Sequence, residues 1–137
     1  MTPLMKMHTL GHNFIPEPIH AGGLRYHGMA PLVSHVYELG LVEAISIGQL
    51  ECFAAGIMFA KTEGIVPAPE PTHAIAAAIR EALLCKESGE ERTILTALCG
   101  HGHLDLASYD KYLSGEMQDL DLDQSAITEA LKDVPNF

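Results

Sequence analysis

Residues 92–105, RTILTALCGHGHLD, decide the fold reading. Ile94, Leu95, Ala97 and Leu98 follow one another almost without polar interruption. That is the pattern of a strand in a parallel sheet covered on both faces. A glycine-rich turn carrying His101 and His103 comes next, and Asp105 stands where it can cap a helix over 105–115. Ligands of open α/β sheets bind beyond the carboxyl ends of the strands, so CGHGHLD (99–105) is the expected place of a site. Gly100 and Gly102 would let backbone N–H groups approach a ligand closely.

Working back towards the N-terminus, the alanine-rich run after Thr72 (HAIAAAIREALLCKES) predicts a helix ending at Ser88-Gly89. Thr72 is its expected N-cap, and close packing is expected on both of its small-residue sides. GIVPAPEP before it holds Pro67, Pro69 and Pro71 and is expected to be non-helical. Residues 48–64 predict a helix with Leu50, Phe53, Ala54, Ile57, Met58 and Ala60 on its apolar side and Gly64 as its stop. LVEAISI (41–47) reads as a short strand. PLVSHVYELG (31–40) reads as a helix with Pro31 in its first turn. Residues 1–31 form an extended Gly/Pro-rich loop segment that also carries Phe14, Ile15, Ile19, Leu24 and Tyr26. A long loop with that apolar load is expected to pack against another part of a larger structure. The expected organisation is thus a loop segment at 1–31, an α/β core at 32–115 and an acidic tail at 116–137, with a short helix near 125–132. Two strands alone do not make a stable sheet, so the α/β fold is expected to be a partial one.

A hydrophobic share of 47% against 19% charged residues excludes a disordered chain. The net charge of −10 argues against nucleic-acid or anionic-membrane partners. Four of the acids, Glu116, Asp119, Asp121 and Asp123, cluster in the tail. Cys52, Cys85 and Cys99 form no CxxC pair, and neither a signal peptide nor a long apolar run is visible. A cytoplasmic, soluble protein is therefore expected.

His101 and His103, with Asp105 beside them and His20 and His27 available from the loop, leave a zinc-type site open as an alternative. His35 and His73 fall on predicted helices and are expected to be hydrogen-bonded surface or interface residues. None of the serines has a nucleophile-elbow context, and no phosphate-cradling glycine motif with its lysine is present. Lys6, Lys61, Lys86, Lys111 and Lys132 include none in a setting that would select a Schiff-base lysine.

Taken together and in order, HAGGLRYHG (20–28), TEGIVPAPE (62–70) and CGHGHLD (99–105) resemble the tryptophan synthase beta-chain family, in its second, beta-like branch. The resemblance runs from TPLMKMHTLGHNF to about KYLSG, nearly the whole chain except the tail. It implies the C-terminal part of a fold-type II pyridoxal phosphate enzyme with a three-layer α/β/α architecture, which replaces the hydroxyl of L-serine with indole to give L-tryptophan. It also implies that Glu63 lies close to the cofactor ring. Cys99 takes a position normally held by serine, whose hydroxyl bonds the pyridine nitrogen, and Gly100, His101 and Gly102 complete the cofactor-binding turn. A thiol is a weaker and longer partner than a hydroxyl. Arg25 falls where the classical beta chain has an aspartate that closes over substrate. Tyr26 and Gly28 match positions whose carbonyls hold a monovalent cation. The family's Schiff-base lysine and phosphate loop lie upstream of the matching stretch, so no catalytic residue is assigned and the chain alone is expected to be inactive and to bind no cofactor. Its expected partner is a further copy of itself or the missing N-terminal part, with a small-molecule ligand possible. A stand-alone, self-associating binding module is the alternative.

Overall fold

The computed structural model describes residues 5–120 and 122–135. The first residues of the matching stretch (2–4) and one acid of the tail, Asp121, lie outside them. The described residues divide into two compact units, one of residues 5–18, 25–46 and 122–135, the other of 19–24 and 47–120.

In the second unit, helix α2 (Gln49–Glu63) and helix α3 (Pro69–Ser88) pack against each other. Both end where the sequence predicts, on glycines in the left-handed conformation, Gly64 (φ 71°) and Gly89 (φ 73°). Helix α4 (Leu106–Leu113) completes the layer. One buried cluster joins Phe53 to Tyr109 and Met117, with Leu50, Ile57, Val66 and Tyr112 around it. A second joins Ala55 to Ile75 and Ala76. The small residues of α3 thus serve one packed face near its N-terminus, whereas residues 80–84 are exposed.

The structure departs from three expectations. Helix α3 begins at Pro69, taking in Pro69 and Pro71. Proline is tolerated there because first-turn N–H groups have no intrahelical partner in any case. Thr72 is therefore inside the helix, and its hydroxyl donates back to the Pro69 carbonyl (2.6 Å) instead of capping. Asp105 does occupy the N-cap position of α4, but without a side-chain cap bond.

The third departure concerns the sheet. Among the described residues there is none: 41–47 and 92–100 form no strand, and the only ladder contacts are two isolated antiparallel bridges. Residues 92–99 are all exposed, Leu95 at 94%. An apolar strand is buried only if neighbouring strands and covering layers exist, and two such segments cannot supply them. The three-layer α/β/α arrangement is not formed by these residues.

The first unit contains helix α1 (Pro31–Glu38) and helix α5 (Gln124–Leu131). The Gly/Pro-rich segment is pinned by a bridge between Thr9 and Gly28. In it the Leu10 N–H donates to the His27 carbonyl (2.7 Å) and the Met29 N–H to that of His8 (2.8 Å). Ser34 is the one buried residue of α1, and its hydroxyl accepts the His8 N–H. The apolar face of α1 is open, with Leu32 at 80%.

Candidate functional site

Two of the three motifs meet in the second unit. The Gly102 N–H donates to the Val66 carbonyl (2.7 Å) and the Ala68 N–H to that of Gly100 (3.0 Å), framing the pair Pro67 and His101. The bonds pass through the residues flanking Pro67, so its missing N–H costs this bridge nothing. A Cβ on Gly102 would lie 2.4 Å from the Pro67 oxygen, so this position excludes any side chain. Gly100 is less strict, with Ala68 Cβ 3.1 Å from where its own Cβ would stand. Glu63, the last residue of α2, is exposed just before Gly64 redirects the chain into this bridge. Cys99 and His101 are exposed beside the buried Gly102. The His101 Nδ1 accepts the His103 N–H (3.3 Å), and their rings lie 4.7 Å apart.

Beneath the bridge is a residue that sequence reasoning passed over. Tyr109 is buried, and its hydroxyl donates to the Pro67 carbonyl (2.7 Å). Its ring meets Phe53 at 4.9 Å, edge to face. Burial, assisted by the Asp105 charge, pushes the hydroxyl up to about 12, so it stays a donor at neutral pH. The signal available was Gly56, a glycine inside a helix, where it costs about 1 kcal/mol relative to alanine. A Cβ there would stand 2.7 Å from the Tyr109 oxygen and 2.8 Å from Thr72 Cγ2.

His20 belongs to the same unit. Its backbone N–H donates to Gln49 Oε1 (3.2 Å), its Nδ1 lies 3.3 Å from Ser108 Oγ and its ring packs edge-on to Phe53. Burial, with the nearby Lys111 charge, lowers its pKa and favours the neutral ring. Gln49 in turn donates to the Gln118 carbonyl. Cys52 is enclosed, and burial pushes its thiol up to about 11, which makes it inert. Among the described residues no group of three or more His, Cys, Asp or Glu could hold a metal ion, so the zinc-type alternative finds no ligand set. The described lysines are all exposed.

Arg25, Tyr26 and Gly28 lie in the first unit. The Arg25 guanidinium donates to the Pro16 carbonyl (3.2 Å) and Tyr26 is exposed. Gly28 is pressed against Thr9, where a Cβ would stand 2.7 Å from the threonine side chain. The Thr9 hydroxyl donates to the His27 carbonyl (3.0 Å), and accepts the Gly11 N–H (3.0 Å). An open groove of about 490 Å³ in this unit runs between residues 10–15 and α5.

Sequence comparison gives these features a class. The curated relatives that match are beta chains of a synthase. Tryptophan synthase beta chain 2 of Aquifex aeolicus (strain VF5) is 64% identical over 119 residues, 87% of this chain and 27% of that protein. Tryptophan synthase beta chain 2 of Methanosarcina mazei is 63% identical over 118 residues, 86% of this chain and 27% of the relative. The tryptophan synthase beta chain of Thermococcus onnurineus (strain NA1) is 56% identical over 119 residues, with 87% and 27% covered. No protein-family model matches. Over most of its own length the chain is similar to tryptophan synthase beta chains, and it spans about a quarter of the length of the relatives it matches.

Proposed function

We propose that this chain is the C-terminal part of a tryptophan synthase beta-like enzyme and forms one wall of its pyridoxal phosphate site. The observation that carries the reading is the Val66–Gly102 bridge, which joins the segment after Glu63 to the turn after Cys99. The turn suits one side of a flat ring. Gly102 keeps side chains out, and the exposed Cys99 thiol is the hydrogen-bonding group offered beside it. The bound group would supply an electron sink for β-replacement at L-serine by indole. Glu63 would stand near the ring, Cys99 would meet its nitrogen, and Gly100, His101 and Gly102 would shape the turn. Arg25 would act on the substrate side, and the carbonyls of Tyr26 and Gly28 would offer a place to a monovalent cation.

The lysine and phosphate loop of the family would come from the part of the relatives' length that this chain does not span. The chain alone is then inactive, and its working partner is that remaining part. Its place of action is the cytoplasm. No described helix is long and apolar enough to cross a membrane. The test mixes this chain with the complementary three-quarters of the Aquifex aeolicus relative. Pyridoxal phosphate binding and indole consumption are expected in the mixture and in neither part alone. Binding of the cofactor by this chain alone, or no binding in a mixture shown to associate, would refute the reading.

A second reading, a self-associating binding module, is favoured by the exposed Leu32, Leu39, Leu41 and Ile45. It requires a stable oligomer of this chain by sedimentation and no association with the complementary part.

A further inference from the structure

We propose that Tyr109 is a positioning residue of the cofactor-facing turn: its hydroxyl, acting through the Pro67 carbonyl, fixes the register in which residues 99–102 lie against residues 66–68. The inference rests on the functional reading above, that these two segments face pyridoxal phosphate.

Pro67 is the meeting point. It is fully buried, and because it is proline its carbonyl is its one backbone hydrogen-bonding group. The bridge is made by Val66 and Ala68, which leaves the Pro67 oxygen to Tyr109 at 2.7 Å. The same oxygen touches the space that a Cβ on Gly102 would need. A shift of the turn by one residue would bring His101 or His103 onto that oxygen, and their side chains would collide with it. Tyr109 itself packs edge to face on Phe53 and lies so close to Gly56 that a Cβ there would stand 2.7 Å from its oxygen. A rigid element, α2, therefore reaches the exposed turn through Gly56, Tyr109, Pro67 and Gly102 in succession. Without the hydroxyl, Pro67 would keep a buried, unsatisfied acceptor, and the pairing would relax to let water reach it.

The test compares Tyr109→Phe, which removes only the hydroxyl, with Met117→Ala, which loosens the same cluster without touching Pro67. Amide hydrogen exchange is read in this chain at Ala68 and Gly102, and at Ile75 and Ala76 in α3. Y109F should speed the first pair about tenfold more than the second, the effect of one lost buried hydrogen bond. M117A should change both pairs by the same factor. In the assembled mixture with the complementary part, Y109F should weaken pyridoxal phosphate binding by about tenfold, and M117A should leave it within about twofold. Equal acceleration of both pairs in Y109F, or cofactor affinity within twofold of the unsubstituted protein, overturns the proposal. If the unsubstituted mixture binds no cofactor, the functional reading and the cofactor role of Tyr109 fall together, while the exchange result still decides the register.

Discussion

The second unit buries aromatic rings on its own helices, with Phe53 against Tyr109 and Tyr112, whereas the first holds its chain by single hydrogen bonds and leaves its apolar side chains outside. Composition does not separate them, since α1 is as rich in Leu, Val and Tyr as α4. The difference is in sequence spacing. Residues 47–120 carry two long helices next to each other in the chain, so each supplies the surface the other must cover. Helices α1 and α5 have eight residues each, too short to bury much of anything by themselves.

If that contrast is right, substitutions in the second unit should be felt far more strongly. Phe53→Ala should cost about 3–5 kcal/mol in chemical denaturation, because a filled site between two tyrosines becomes a cavity. A loss of under 1 kcal/mol would mean that the unit is loosely packed. Gly102→Ala should cost about 1–3 kcal/mol by pressing a methyl group onto the Pro67 oxygen. Free energies from denaturant titrations of that variant check it.

The unit should also weaken with alkali. The Cys52 thiol and Tyr109 hydroxyl hold their protons in the fold up to about 11 and about 12, above ordinary values of 9.0 and 10.0. The unfolded chain releases them first, so stability falls as pH rises through that interval. Denaturation midpoints across it should decline, and Cys52→Val should flatten the decline. On the acid side, the lowered pKa of His20 means that the unfolded ring takes up its proton first. Stability should fall as pH drops below 6.5, and His20→Gln should shrink that slope. In the first unit, Leu32→Asp should change stability by no more than about 0.5 kcal/mol, since the side chain is already in water. A large loss would show that α1 is covered in solution.

The helices were legible because their signals are local. Apolar spacing marked 48–64, and Gly64 and Gly89 closed α2 and α3 where expected. The start of α3 was not, because Pro69 and Pro71 look like breakers until they are placed in a first turn. The sheet failed for another reason. RTILTALCG has the composition of an interior strand, but pairing is a property of what lies beside a strand, which these residues do not provide. At the candidate site the sequence marked Gly100 and Gly102 for close approach to a ligand, whereas the close approach found at Gly102 is to the Pro67 carbonyl. Tyr109 carried no such mark, because a tyrosine on a short amphipathic helix looks like any core residue until its hydroxyl finds the Pro67 carbonyl.

The exposed run Thr93–Leu98 is also a liability in solution. TILTAL has no charge, no proline and no glycine, and it is rich in residues that favour extended backbone. Unpaired and open to water, it is a template for stacking identical segments from many molecules into fibrils. Glu90, Glu91 and Arg92 stand before it as charged gatekeepers, but its other end runs into Cys99 and Gly100 with no such guard. A chain carrying this segment without a neighbouring strand must be kept dilute or quickly covered, or it will be lost from solution by aggregation.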